Sequence, residues 1–521
     1  MFNIPADSLT ARLMPLQQAL TADALPAPIM EFGPYLPDLG ELGNPGVTEA
    51  QNCIAYKDHY APFKSLSAVS DAMTARAQGG TATRDSSGNV FVVLGDASKL
   101  YSLINTAFTD VSQAGGYTVA ADSTWEFATF GNDLIATHID DPVQVLDMAT
   151  GNVFADLITS SDKPKARHVD IVNGFVVLGN TSDDSDGAKP NRVWWSALET
   201  PTNFTPAAAT LGGYQDLPTG GHVQRIVGGE NYGLVFSDDE IRRMTFVGSP
   251  RIFTFSIIDK KRGTPIPNSI VSFGRFTAFL SEEGFFITDG NESFPIGENQ
   301  VDNFFWDQFS LSNRSRVSAA VDPVRKLLLW SFPGTGSSGG EPNIALIWNW
   351  KDKRWSHADF SHETLIRSRD QGYTLDTLDT VGTDIDDASL FPFSFDSPAW
   401  QGGDIVLGGV DTSHRYGTFT GTTLAAQIDT GRFQPNSAGL ADLTGISPIV
   451  EGSTAVTAKI AAAQQAGATF TLGSAVAMNS FGKANFSSNG QYFKAATIIA
   501  AAETGWKARG VRVHATSAGD L

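Results

Sequence analysis

The 521-residue chain has few residues that form covalent or metal cross-links, and its single cysteine is Cys53. One cysteine excludes an intrachain disulfide and a metal site of the CxxC kind, so we expect a buried small hydrophobe. A long apolar span is also missing, and residues 1–5 do not begin a signal peptide. These absences predict a protein without a membrane segment that is made and assembled in a cytoplasm.

Positive charge is scarce, because 36 lysines and arginines stand against 56 aspartates and glutamates and give a net charge of −20. A protein that grips DNA by its phosphates normally has a basic stripe, and the sequence shows none. The composition argues against a DNA clamp, while an acidic wall is compatible with DNA that slides past. The alternative is that the acidity only keeps a large assembly soluble.

Common catalytic motifs are missing as well. The sequence has no HExxH, no GxSxG, no Walker A loop and no dinucleotide fingerprint, and its 8 histidines are scattered. His357 and His362 come nearest to metal-ligand spacing, but their separation is more typical of a loop surface. We therefore predict no enzymatic activity, no metal and no cofactor.

One acidic stretch resembles the opening of a calcium loop. Asp183, Asp184 and Asp186 precede Gly187, and closely spaced carboxylates before a glycine can wrap a hard cation. The distal bidentate glutamate of such a loop is missing, because Trp194 stands in its place. The stretch is a weak calcium candidate and does not change the prediction of no metal.

A second acidic stretch, DTLDTVGTDIDD, is interpreted as a candidate channel-facing loop. Paired carboxylates could flank a sugar bond in a glycoside hydrolase, but no aromatic platforms surround these, which favours a solvated or channel-facing loop. Tryptophans elsewhere, at positions 194, 195, 348, 350 and 355, are interpreted as core or blade-edge packing. The candidate loop residues are Asp376, Asp379, Asp384, Asp386 and Asp387.

A unit of apolar strand, turn and second apolar run recurs through most of the chain. In one copy, Phe276–Leu280 runs into a turn at Gly284 and returns as Phe285–Thr288, which is a hairpin signature. The separations are near the ~40–50 residues of one four-stranded propeller blade. The units begin at Val90, Asp133, Gly174, Tyr232, Phe276 and Lys326.

This period predicts an all-β fold with three parts. Residues 1–75 are expected to hold a short helix and an extended arm, because the stretch after residue 28 is rich in proline and glycine. Residues 76–424 are expected to form a β-propeller of four-stranded blades, which DIVLGGVDTSHRYGTFTG could close. Residues 425–521 are expected to form a small β-sandwich-like domain; the alternative for 460–468 is a helix.

Seven segments of the chain are distinctive as a set, and they are EFGPYLPDLGELGNPGVTEAQN, GDASKLY, VWWSALETPTNFTP, EIRRMTFVGSPRIFTF, LSEEGFFITDG, FPIGENQVDNFF and RVSAAVDPVRKLLLWSFP. Together they resemble a family of tailed-phage structural proteins. The family is that of the podovirus short-tail hub or nozzle proteins, also called packaged-DNA stabilisation proteins. The resemblance runs in order from about residue 31 to 424, and more loosely to the end of the chain.

The resemblance implies a structural role and no active-site residues. It implies a propeller subunit of the virion, assembled in six copies around the tail channel in the host cytoplasm, below adaptor proteins attached to the portal. A fibre or spike is a further expected partner, and genomic DNA is expected to pass without sequence-specific binding. The competing classes are a carbohydrate-binding or receptor-binding propeller and a fibre protein, which oligomeric state would separate.

Overall fold

The computed structural model describes residues 28–151, 153–159, 163–369, 405–437 and 439–520. Strands dominate these residues, and the predicted all-β propeller is confirmed by their sheet topology. Five short strands come first in the chain, and they belong to two different parts of the molecule. They are β1 Ile29–Glu31, β2 Val47–Gln51, β3 Cys53–Ala55, β4 Tyr60–Pro62 and β5 Ser67–Ala72.

Six antiparallel blades of four strands follow within the described residues. Blade 1 is β6 Gly80–Arg84, β7 Val90–Gly95, β8 Leu100–Ile104 and β9 Ala107–Asp110; blade 2 is β10 Glu126–Phe130, β11 Asp133–Thr137, β12 Gln144–Asp147 and β13 Ala155–Asp156; blade 3 is β14 Lys165–Val172, β15 Phe175–Asp183, β16 Gly187–Trp195 and β17 Gly213–Asp216. Blade 4 is β18 Val223–Val227, β19 Tyr232–Ser237, β20 Glu240–Phe246 and β21 Phe253–Lys260; blade 5 is β22 Val271–Phe273, β23 Phe276–Ser281, β24 Gly284–Thr288 and β25 Ser293–Pro295; blade 6 is β26 Ser318–Asp322, β27 Leu327–Phe332, β28 Ile344–Asn349 and β29 Arg354–Asp359.

Blade 7 closes the ring with strands from both sides of the propeller sequence. Its strands are β30 Thr364–Arg369, β31 Ile405–Val410 and β32 Arg415–Thr418, and β5 is added antiparallel at the outer edge. The hairpin predicted to supply a closing blade therefore does so. The six repeat starts lie at or beside the first residues of the second strands of blades 1 to 6.

The second strand of a blade is apolar because neighbouring blades cover both of its faces. Each pair of adjacent blades shares a core, and the ring is closed by a core between blades 7 and 1 that contains Ile366 and Leu94. In blade 6 every residue of β27 is buried. A strand that is buried on both faces has a continuous apolar run rather than an alternating pattern.

The last strands form the predicted sandwich. They are β33 Ala426–Thr430, β34 Gly439–Glu451, β35 Val456–Ala463, β36 Val476–Ala477, β37 Ala484–Gly490, β38 Tyr492–Ile499 and β39 Lys507–Asp520. One sheet has the order β3-β4-β39-β34-β37, with β1 also paired to β39. The second has the order β2-β33-β38-β35-β36. The alanine-rich run that could have been a helix is strand β35.

The sandwich and the propeller share one continuous sheet. Strand β2 pairs with β33 of the sandwich on one side and, through a parallel bridge of Gln51 with His357, with β29 of blade 6 on the other. The result is a sheet of 9 strands that runs from β26 to β36. The N-terminal stretch is extended, as predicted, and its described strands pair with other strands of the same chain.

Helical structure is minor in the described ranges. The α-helix there is α1, Asp302–Gln308, and 3-10 turns cover Pro267–Ser269 and Leu311–Arg316. Asp38 accepts hydrogen bonds from the backbone nitrogens of Asn303 and Phe304 in the first turn of α1, at 2.9 and 2.8 Å. In the part of the chain described here, no helix is long and apolar enough to cross a membrane.

Candidate functional site: the central channel

The five aspartates predicted to face a channel lie in residues 370–404, outside the described residues. Their placement therefore stays a prediction. The described residues instead define a different polar site on the propeller axis. The first strands of all seven blades line a cavity there of about 390 Å³, which we call the central channel.

Blades 2, 3 and 4 place a buried charged group at the channel wall. Glu126 Oε1 lies 2.9 Å from His168 Nδ1 and 3.2 Å from Arg225 Nη1. Burial alone would raise the pKa of Glu126, but Arg225 and then His168 outweigh it and lower that pKa. The carboxylate is thus held ionised and is fully engaged by its own neighbours.

Asp170 in blade 3 is satisfied by backbone donors. Its Oδ2 accepts from Gly228 N at 2.7 Å and its Oδ1 accepts from Ile171 N at 2.8 Å. Burial raises the pKa of Asp170, and the two N–H groups oppose that rise. This carboxylate ties blade 3 to blade 4, because Gly228 directly follows β18.

Glu363 performs the same task between blades 7 and 1. Its Oε2 accepts from Ala77 N at 2.8 Å, and its Oε1 contacts His414 Nδ1. The side chain is buried, and burial raises the pKa of Glu363 despite these partners. The three carboxylates of the channel wall therefore link neighbouring blades.

Three arginines of the channel wall have no such partner. Among the described residues, Arg76, Arg316 and Arg367 form no ion pair with a carboxylate within 4.0 Å. Arg76 donates only to the backbone oxygens of Ala77 and Ala121, at 3.1 and 3.2 Å. Burial and then the charge of Arg316 lower the pKa of Arg76 to about 10. Two cations therefore repel each other at one end of the channel.

In the calcium candidate at residues 183–187, the carboxylates of Asp183 and Asp186 pair with Arg192. Arg192 Nη1 lies 2.7 Å from Asp186 Oδ2 and 3.5 Å from Asp183 Oδ2, and its Nε lies 2.7 Å from Asp216 Oδ1. Asp183 also accepts from the backbone nitrogen of Ser185 at 2.9 Å. Across the described ranges, no group of three or more metal-ligating side chains is suited to an ion.

The interpretation of His357 and His362 as loop-surface residues is wrong, because both are buried, at 5% and 0% exposure. His362 lies against Ser331, and burial lowers its pKa to about 4. His357 lies where the propeller meets the sandwich, in contact with Glu49 and 3.0 Å from Asp359. Burial alone would lower its pKa, but Glu49 and Asp359 raise it to about 9.

Other expectations about single residues are confirmed. Cys53 is fully buried. Trp194 and Trp195 in blade 3 are buried as well, with exposures of 9% and 5%. Trp348 and Trp355 are cross-strand partners in the core of blade 6. The interpretation of these four tryptophans as packing residues is therefore confirmed.

The charged residues of the channel wall were not predicted from the sequence. Arg225 and Glu126 lie on first strands, which carry a weaker apolar signal than the second strands. The sequence feature that could have indicated them is a charged residue that precedes the apolar run in several blades. Which of these residues face the axis depends on the closure of the ring, which no local pattern encodes.

The fold and channel define a seven-bladed β-propeller within the described residues. No protein-family model matches the chain, and no curated protein matches its sequence. Among solved structures it is similar to BamB from Moraxella catarrhalis, with 10% identity and a TM-score of 0.34, over 60% of this chain and 87% of that one. A likeness this weak carries no argument about function.

Proposed function

We propose that this protein is a structural subunit of a bacteriophage tail. In this proposal it forms the hub or nozzle ring that continues the DNA channel below the portal and adaptor, and it helps to retain packaged DNA until ejection. Its partners are further copies of itself, most simply six, the adaptor and a tail fibre or spike. The protein would reside in the virion after assembly in the host cytoplasm.

The observation that supports the proposal most directly is where the phage-like segments meet. Segment 31–52 and segment 294–305 are far apart in sequence, but Asp38 of the first accepts both hydrogen bonds at the start of α1 in the second. The rings of Tyr35 and Phe304 also meet at 6.1 Å. Two segments that carry the resemblance therefore meet in a contact between the N-terminal stretch and the start of α1.

A subunit of a ring must keep the two parts of its chain, the sandwich and the propeller, in a fixed relative position. The blades are closed by β5, and the shared sheet ties the sandwich to blade 6 through backbone pairing. Such pairing resists relative movement of the two parts better than a flexible linker would. The geometry thus suits a subunit that must keep its shape while DNA passes.

Copy number per particle tests the proposal. Quantitative mass spectrometry of purified virions, or mass measurement of the protein bound to its adaptor, should give six copies per tail. Free protein can remain monomeric until an adaptor ring is present. Three copies, one copy or absence from particles would refute the hub assignment.

The behaviour towards duplex DNA provides a separate test. The chain is strongly acidic, with a net charge of −20, so we expect the lumen of the ring to be lined mainly by acidic and small polar residues. Tight, salt-sensitive binding of duplex by the isolated protein would contradict this expectation. We also expect no sequence-specific contacts with the DNA.

The second candidate is a carbohydrate-binding or receptor-binding propeller or fibre protein. The observation that favours it is the central channel, whose volume of about 390 Å³ is in the range of small-ligand pockets. A trimer on the particle would favour a fibre, and a monomer that binds glycans would favour a lectin-like propeller.

A further inference from the structure

The charge of the central channel differs from that of the chain as a whole. Acidic residues outnumber basic ones by 56 to 36 in the sequence. The channel wall reverses this ratio, because four arginines line it against three carboxylates. The wall therefore carries an excess of positive charge within an acidic protein.

The three carboxylates form an ion pair with only one of the four arginines, Arg225. Glu126 pairs with Arg225 and His168, and Asp170 accepts two backbone N–H groups. Glu363 contacts His414 and accepts from Ala77 N. Each carboxylate is used to join blades, whereas three of the four arginines keep guanidinium donors available.

Backbone contacts place two of those arginines on either side of Glu363. Arg76 directly precedes Ala77, which donates to Glu363 at 2.8 Å. On the other side, Leu365 N donates to Ser318 Oγ at 2.9 Å, two residues beyond Arg316. Burial first, and then the charge of Arg316, lowers the pKa of Arg76, while the charges of Glu363 and Glu341 oppose that lowering.

We propose that this end of the central channel is a binding site for a small phosphate-class oxyanion held between Arg76 and Arg316. Arg367 lies further along the channel wall on β30 and would contact a longer ligand. Planar guanidinium groups form bidentate hydrogen bonds with phosphate oxygens. A bound anion would add to the negative charge that Glu363 already supplies near the two guanidinium groups, and the volume of about 390 Å³ suits a phosphate ester rather than a macromolecule.

The site is independent of the tail-hub proposal, because it uses only residues of one propeller. A failed copy-number test would leave it intact, and a failed binding test would leave the hub proposal intact. The shared chemistry of free phosphate and of the DNA backbone is resolved by using both as separate probes.

Titration calorimetry on the full-length protein tests the site. Inorganic phosphate and pyrophosphate are titrated in chloride buffer of matched ionic strength, and pyrophosphate should bind more tightly. Arg316→Gln should weaken pyrophosphate binding at least about tenfold, since it removes a charge-assisted contact. Arg76→Gln should act similarly, with circular dichroism to verify its fold, because Arg76 also donates to Ala77 and Ala121.

Arg314→Gln is the matched control, because Arg314 is exposed, lies in the same 3-10 turn as Arg316 and does not line the channel. It should leave binding unchanged within about twofold. The proposal is overturned if wild-type protein binds neither anion, if Arg316→Gln binds pyrophosphate as wild type does, or if Arg314→Gln loses as much. Binding of duplex DNA without binding of either small anion would also overturn it.

Discussion

The N-terminal stretch makes two connections in this molecule, and they depend on different forces. Strand β5 closes blade 7 by backbone pairing with β32, and Met73 beyond it enters the core between blades 7 and 1. Strand β2 connects blade 6 to the sandwich through one parallel bridge, beside the buried His357 and the partly exposed carboxylates of Glu49 and Asp359. The first connection is steric and apolar, while the second is also electrostatic.

This difference determines which kind of change weakens each connection. Close backbone packing is insensitive to pH and salt but tolerates little added volume. A buried ion group tolerates shape changes better but fails when one member loses its charge. The predictions below separate these two kinds of weakness.

The largest effect is expected from Gly417→Ala at the ring closure. A Cβ at this position would lie 2.3 Å from Ser67 O and 2.7 Å from Ser67 C, so β5 would have to move. We expect a loss of about 3 kcal/mol in the free energy of unfolding, measured by urea denaturation. Gly467→Ala is the control, since nothing lies within 4 Å of its Cβ, and it should change stability by less than about 0.5 kcal/mol. Equal effects would mean that the closure is loosely packed.

A smaller effect is expected from His357→Gln at the connection between propeller and sandwich. The change leaves Glu49 and Asp359 facing each other without a cation. Both carboxylates are partly exposed, so solvent reduces the cost to about 2 kcal/mol. Urea denaturation at pH 7 measures it, and a double variant that also carries Glu49→Gln should recover part of the loss. No recovery would show that the coupling is absent.

The stabilisation that His357 contributes should be lost as the pH rises. A carboxylate with a lowered pKa would show the opposite behaviour, because its contribution is lost as the pH falls. The pKa of His357 is raised to about 9 in the folded protein, above the value of about 6.5 for an unfolded histidine. Its contribution is therefore fully present below about pH 6.5 and is lost as the pH rises through about 9. Between pH 7 and pH 9.5, wild type should lose about 2 kcal/mol more than His357→Gln. Parallel profiles would contradict the assignment of this pKa shift.

The smallest effect is expected from Arg415→Gln, which removes an exposed ion pair beside the ring closure. Arg415 Nη2 lies 2.8 Å from Asp411 Oδ2, but 46% of the arginine side chain is exposed. Exposed pairs contribute little, so the change in unfolding free energy should stay below about 0.5 kcal/mol in low salt and vanish in 1 M salt. A loss as large as that of His357→Gln would remove the contrast between the two connections.

The sequence was a good guide to the blades because their second strands are buried on both faces. Such strands produce local apolar runs, and Gly284 marks a turn through its positive φ of 128°. Strand β5 carries no such run, because four of its six residues are exposed. Its partners follow more than 300 residues later, so neither the ring closure nor the blade number could be predicted from a local pattern.

The channel and the buried histidine were missed for a related reason. His357 is compatible with burial only because Glu49, 308 residues away in the sequence, supplies a compensating charge. Arg76 and Arg316 are likewise brought together by ring closure and stand outside the apolar repeats. The acidic stretch 376–387 lies outside the described residues, and its proposed position stays a prediction.

The placement of β5 in blade 7 also has a consequence for biosynthesis. The ribosome makes Ser67–Ala72 early, while its partner β32 ends at Thr418. At about 5–20 residues per second, the closing strand waits on the order of tens of seconds for its partner. During this interval the first blade has an uncovered face and an unpaired strand beside it. The nascent chain therefore needs protection from aggregation until the ring is complete, and the polar, short β5 is suited to that wait.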